Sequence, residues 1–290
     1  MEAGRLELTS LEDLRSQSAA GSTGRAGLSV SEVVADAREL QANRESEGAL
    51  FQVASQFNLL EMISPSVTPE EGVSIYASDP TQGPACAITA GAGTIYRNYF
   101  APVNGRIGQT FDNQIDCLHA VGTILGNHQE SLWSMQNGYA LASEAGLKTI
   151  NETLSAMDAS ELDRIRDALC VGVQWDTEVT IDGGGHLLSQ IYCSALPVAY
   201  SAQSPDMWER FARLILEATY EAAFAAAAIN LERTGNNKLY LTLVGGGAFG
   251  NEPAWILSAI QRAAAMYVNH PLDVRIVSRR MPNPHLKAIL

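Results

Sequence analysis

The run Leu241-Thr-Leu-Val-Gly-Gly-Gly-Ala-Phe-Gly-Asn251 sets Gly245, Gly246, Gly247 and Gly250 around Ala248, Phe249 and Asn251. Successive glycines leave backbone N–H groups free of side-chain cover, and a helix starting just beyond them aims its positive end at the same spot. Such a loop cradles a phosphate or diphosphate without a lysine, in keeping with the missing G-K-[ST] ending of a Walker loop. It is not the dinucleotide fingerprint either, because it lies in the last third of the chain and no acidic residue ends the next strand. An aromatic inside such a loop, Phe249, can pack on a ribose or a base. The plainer use of the same glycines is a tight turn that lets a strand and a helix pack closely.

The second set is acidic. Asp176 and Glu178 alternate with Val171, Val173, Trp175 and Val179. Period two places both carboxylates on the polar face of one strand, roughly 7 Å apart. Two carboxylates at that separation can grip a planar guanidinium and orient a water, and Asp182 in the adjoining turn can join them. The alternative is a strand whose charges guard an exposed sheet edge. Asp79 precedes a helix start, so it serves either as a cap or as a carboxylate facing the ligand. Gln82 and Gly83 open that helix and offer backbone N–H groups. Asp112 and Asp116, four apart on an expected helix, share a face that could hold Mg²⁺, but a cap and a solvated side chain account for them better. His119, His128, His186, His270 and His285 form no metal-binding spacing, and Cys86, Cys117, Cys170 and Cys193 form no C-x-x-C pair. No metal and no cofactor are therefore expected, and the thiols read as buried and reduced.

The elements that must position these groups follow from punctuation and period. Residues 1–28, rich in Ser, Ala, Gly and Arg, read as a flexible N-terminal tail, with residues 29–290 as a single domain. A helix capped by Ser31 is expected to about Arg44. ALFQVASQF, residues 49–57, reads as a strand ending at Asn58, and Val73–Ala77 as a short strand. A helical stretch then carries Tyr96, Arg97 and Tyr99. Residues 110–170 read as mostly helical, with Asp158-Ala-Ser-Glu161 as a capping-box start. Residues 170–195 read as a β-hairpin turned by Asp182-Gly-Gly-Gly185. Ser204-Pro205 starts a long helix that Gly235 ends. Strand 238–244, the glycine loop, helix 253–268 and strand 272–278 then make a β-α-β unit, which implies a parallel crossover and an α/β sandwich.

The 290 residues carry 19 Lys+Arg against 32 Asp+Glu, a net charge of -13 that repels phosphate backbones and makes nucleic acid an unsuitable partner. No apolar run of membrane-spanning length and no basic-then-apolar leader is visible, so a cytoplasmic protein with no membrane partner is expected.

VGGGAFGN followed by AWILSAIQRAA resembles the second phosphate loop and helix of macrodomains, closest in style to the G-x-G-A-F-G loop of poly(ADP-ribose) glycohydrolases. FQVASQFN, ending in Asn58, resembles the macrodomain strand whose terminal asparagine faces the ribose next to the scissile bond. Asp79-Pro-Thr-Gln-Gly-Pro-Ala-Cys-Ala87 takes the place of the first substrate loop. With YRNYF (96–100) and Asp176-Thr-Glu-Val-Thr180, the order of segments resembles the MavL-like class, which removes ADP-ribose from arginine side chains. The resemblance spans roughly residues 49–280. It implies a macrodomain-like three-layer α/β/α sandwich with a mixed, mostly parallel sheet and extra helices. It also implies an (ADP-ribosyl)hydrolase that cleaves the N-glycosidic bond of mono-ADP-ribosylated arginine on proteins. Asn58, Gln82, Gly83 and Gly245–Asn251 would bind ADP-ribose, and Asp79, Asp176, Glu178 and Asp182 would carry the chemistry. Asn58 is followed by Leu59-Leu60-Glu61 instead of three glycines, and the consecutive glutamates that mark polymer cleavage are missing at the first loop, which favours a mono-ADP-ribosyl substrate. A non-catalytic ADP-ribose reader is the main alternative, and a nucleotide-binding oxidoreductase a third.

Overall fold

A computed structural model describes residues 1–19, 27–79 and 81–288. The chain runs β1 (Arg5–Ser10), α1 (Leu11–Ser18), β2 (Ser29–Val34), α2 (Ala37–Ala42), β3 (Leu50–Ala54), α3 (Gln82–Thr89) and α4 (Gly91–Tyr99). Two small hairpins, β4 (Pro102–Val103) with β5 (Arg106–Ile107) and β6 (Trp133–Gln136) with β7 (Tyr139–Ala142), flank α5 (His119–Leu125). Next come α6 (Glu144–Ala156), α7 (Ala159–Asp167), β8 (Cys170–Glu178), β9 (Leu187–Cys193), α8 (Pro205–Thr234), β10 (Lys238–Leu241), α9 (Pro253–Met266) and β11 (Asp273–Ser278).

Seven strands form one sheet in the order β1-β8-β9-β3-β10-β11-β2. β9, β3, β10, β11 and β2 run parallel, while β8 is antiparallel to both of its neighbours. The expected mixed, mostly parallel sheet is thus observed. Helix α8 lies against β3, β9 and β10, whereas α3 packs on β3 and α4 on β8 from the other side, giving the three layers. α8 is long and apolar enough to span a membrane, but 83% of its apolar window is buried as the core of the fold. Its limits follow the punctuation in the sequence: Ser204 at the N-cap, Pro205 in the first turn, and Gly235 at φ 75° as a left-handed stop.

Four expectations change, the first being that residues 110–170, expected as mostly helical, hold the β6–β7 hairpin and long loops between their helices. The supposed N-terminal tail supplies strand β1 on the sheet edge and helix α1, whose Leu11 and Leu14 are buried. Ser10 caps α1 in a capping box with Asp13. Glu221, fully buried within α8, is held by Arg15 of α1 and Arg262 of α9, and this anchors the segment. The remainder of the Ser-Gly run, residues 20–26, lies outside the described residues. Residues 29–34 form a strand because Val30, Val33 and Val34 are β-branched, and the helix waits for the Asp36 cap. Residues 73–78 form a 3₁₀ turn instead of a strand. The 170–195 hairpin and the Asp158–Glu161 capping box are observed as expected.

Candidate functional site

In a parallel sheet, ligands bind beyond the carboxyl ends of the strands. A cleft of about 880 Å³ opens there, past the ends of β3, β10 and β11. One wall is the glycine loop. Gly245 has φ 87°, and a Cβ there would stand 2.7 Å from the Ala195 Cβ, so only glycine lets the loop pack this close. Asn251 closes the loop. Its amide N–H donates to Gly245 O (2.9 Å) and its Nδ2 donates to Leu196 O (2.8 Å). Gly247–Phe249 form one helical turn, and a first turn leaves its amides without partners further up the helix. Those residues line the cleft. Phe249 packs against Tyr139 and Tyr200 at centroid distances of 5.4 and 5.7 Å, forming an aromatic corner.

The opposite wall is the loop leaving β3 and the start of α3. Glu61 sits here, lining the cleft at 6% exposure. Burial pushes its carboxyl well above the usual carboxylate range; the Arg97 guanidinium pulls it back, and the negative charge of Asp79 adds to the rise. Among the described residues its Oε1 has no hydrogen-bond partner. The loop is braced on all sides. Glu61 N–H donates to the Tyr76 hydroxyl (3.0 Å), Met62 N–H to Gln56 Oε1 (2.6 Å) and Tyr139 OH to Met62 O (2.6 Å). A Cβ on Gly83 would run into Glu61 Oε2 and stand 2.6 Å from Ala54 O, so glycine lets α3 abut the carboxyl.

The sequence-predicted residues divide in two. Asp79, Gln82, Gly83, Gly245, Gly246, Gly247, Ala248 and Phe249 line the cleft. Asp79 lies close enough to Glu61 to act on its charge, and its Oδ1 accepts from Thr81 N–H (2.8 Å) in a turn that leads into α3. The Gln82 side chain accepts from Ala37 N–H (3.1 Å), so it ties α3 to α2. Asn58 is fully buried behind the cleft wall, donating to Gln114 Oε1 (2.9 Å) and accepting from Leu60 N–H (3.1 Å). It and Asn251 shape their loops from behind, and Gly250 turns against Ala199.

Asp176, Glu178 and Asp182 are not brought to the cleft. β8 runs antiparallel to β9, so its carboxyl end lies at the amino ends of the parallel strands, across the length of the sheet. Asp176 sits in a bulge at φ 55° and pairs with Arg233 at the far end of α8 (2.5 Å). Glu178 accepts from Glu2 N–H (2.6 Å), and Asp182 is exposed in the turn. Asp112 and Asp116 are not helical. Asp112 pairs with Arg106 (3.2 Å), and Asp116 accepts from Leu118 N–H (2.9 Å) at the start of α5. Among the described residues no group of three or more His, Cys, Asp or Glu side chains is placed to hold a metal ion.

Sequence reasoning missed Glu61. Its signal was present: a single acid within the apolar run Leu59-Leu60-Glu61-Met62-Ile63, where a charge has no reason to be unless something uses it.

The fold is an α/β arrangement shared with solved poly(ADP-ribose) glycohydrolases. The enzyme from Deinococcus radiodurans in complex with ADP-ribose superposes with a TM-score of 0.50 at 12% identity, covering 98% of this chain and 94% of that one. The enzyme from Thermomonospora curvata gives 0.45 at 13% identity, over 94% and 79%. No protein-family model and no curated protein matches the chain.

Proposed function

We propose that the protein is an (ADP-ribosyl)hydrolase that binds ADP-ribose in this cleft and releases it from mono-ADP-ribosylated arginine on proteins. One observation carries the reading: a buried carboxyl, Glu61, faces the same cleft as the amides of Gly247, Ala248 and Phe249. The amides suit a diphosphate. The wall of Val277, Met281, Pro282 and Pro284 suits the adenosine end, and the aromatic corner suits the distal ribose beside Glu61.

Cleavage of the bond between C1′ and nitrogen passes through an oxocarbenium-like state. Glu61 gives its proton to the departing guanidine nitrogen, which leaves as guanidinium. A water adds its oxygen to C1′, and its released proton returns to the Glu61 carboxylate, with Asp79 stabilising the positive charge as it develops. The acidic pair Glu61 and Asp79 also suits a cationic leaving side chain. A second reading draws on the burial of Glu61: an alkoxide leaving group, as in a serine-linked substrate, needs a proton donor more than a guanidine does.

The test incubates the protein with arginine-, serine- and glutamate-linked mono-ADP-ribosyl peptides, with and without chelator. Release from the arginine peptide, unaffected by chelator and lost in Glu61→Gln, supports the proposal; release from the serine peptide alone transfers it to the second reading, and release from the glutamate peptide alone overturns both. Tight ADP-ribose binding with no release from any peptide identifies a reader.

A further inference from the structure

We infer that Arg97 is a positioning residue of this site: its guanidinium fastens the Glu61 loop from beneath and supplies the positive charge against which Glu61 gives up its proton. The inference rests on the proposed role of Glu61. Arg97, on α4, is 1% exposed, and its Cζ lies over the Tyr192 ring, 3.5 Å from the centroid. Its Nε donates to Leu59 O (3.2 Å) and its Nη2 to Thr94 Oγ1 (3.1 Å). Leu59 holds φ at 65°, a left-handed conformation unfavourable for a branched side chain, and Arg97 grips the carbonyl of that residue. From the far side Gln109 Nε2 donates to both Asn58 O (2.9 Å) and Arg97 O (3.1 Å), tying loop and helix together.

The charge matters as much as the grip. Among the described residues Arg97 makes no ion pair, and its Nη1 has no hydrogen-bond partner. A buried cation without a counter-ion is costly, so it must answer to some acid. Glu61 is the buried carboxyl coupled to it, and its Oε1 is likewise unpartnered. The other groups around Glu61 are Asp79, which opposes its ionisation, and Tyr76, Cys86, Tyr139 and Tyr192, whose protons burial holds in place. Arg97 is thus the group that favours the Glu61 anion formed as the proton leaves. A merely structural arginine would need only its hydrogen bonds to Leu59 and Thr94.

The experiment compares wild type, Arg97→Met, Arg97→Lys and Glu61→Gln. For an acid that must be protonated, activity falls as pH rises through its titration, and removing a nearby cation moves that limb upward. Arg97→Met is expected to shift the alkaline limb of the kcat profile by about one pH unit or more and lower kcat about a hundredfold, with KM little changed. Arg97→Lys keeps the charge and is expected to leave the limb within a few tenths of a unit of wild type. A limb that stays put in Arg97→Met, or that moves equally in Arg97→Lys, overturns the inference. If Arg97→Met does not fold, Arg97→Lys carries the test, since a one-unit shift there refutes the role of charge. Infrared titration of the protonated carboxyl band, assigned by its loss in Glu61→Gln, reads the same shift without turnover. Absence of turnover in wild type defeats the proposed function, while the infrared titration still decides the role of Arg97.

Discussion

Gly245 and Gly247 lie two residues apart in one loop, yet the structure gives alanine at each a different consequence. Both have positive φ, 87° and 61°, so a Cβ at either brings left-handed strain of about 1–2 kcal/mol. At Gly247, among the described residues beyond its two chain neighbours, no atom lies within 4 Å of the new methyl, and strain is the whole effect on stability. At Gly245 the methyl meets the Ala195 Cβ at 2.7 Å and the Asn251 side chain at 3.1 Å, which adds about 1–3 kcal/mol of overpacking. At about 3 °C per kcal/mol for a domain of this size, Gly247→Ala should melt roughly 3–6 °C below wild type and Gly245→Ala roughly 6–15 °C below. Ligand binding should rank them differently. The open space at Gly247 is cleft, so its methyl stands where a diphosphate would lie, and calorimetric titration should find ADP-ribose bound at least about tenfold more weakly, near 1.4 kcal/mol. Wild-type affinity in Gly247→Ala would refute the loop as the anion site. Equal melting losses in the two variants would refute the packing argument.

Glu61→Gln should be more stable than wild type at neutral pH. Burial raises the carboxyl, so the folded state prefers it protonated; its stabilising contribution is complete below about pH 4.5 and is lost as pH rises toward its folded value. The gap between variant and wild type in urea melts should therefore open above about pH 4.5 by about 1.4 kcal/mol per unit, and a pH-independent gap would contradict the assignment. Asp176→Ala with Glu178→Ala should leave ADP-ribose affinity and turnover unchanged and cost less than about 1 kcal/mol, because both are partly exposed pairs far from the cleft; a loss of turnover would return the chemistry to that end of the sheet. Glu221→Ala removes the fully buried carboxylate that Arg15 and Arg262 share and leaves them, among the described residues, only Asp163 and Asp167, so chemical denaturation should show a loss of about 1–3 kcal/mol.

The C-terminal third was legible because its boundaries are written in residues with narrow conformational use: Ser204-Pro205, Gly235, the glycine run and Pro253. The hairpin of β8 and β9 was legible from period two. What spacing could not convey is which end of the sheet a side chain reaches. Asp176 and Glu178 do share a strand, but β8 reverses direction relative to β9, and direction is a property of topology. The polar face of β8 was also misleading. Gln174 on it is fully buried and donates to Ala3 O (2.7 Å), because the N-terminal segment and α4 cover it. That segment was itself illegible, since six residues of mixed polarity form a strand only when an edge is waiting. Of the cleft, the glycine loop, Asp79 and the start of α3 were visible, while Glu61 became visible only when α3 and α4 closed over it.

The walls of the cleft come from residues 54–56, 61–63, 79, 81–83, 139, 195, 200, 242–249, 277–279 and 281–284. The last of these segments follows β11, and β11 also seats β2 from near the start of the chain. A nascent chain therefore cannot complete the pocket until residue 284 has emerged, and until then the unpaired edges of β10 and β2 have no partner. Pairings that span nearly the whole sequence close slowly. Ligand present during refolding should accordingly bind only the finished molecule and leave the rate of folding unchanged, while slowing the reverse reaction.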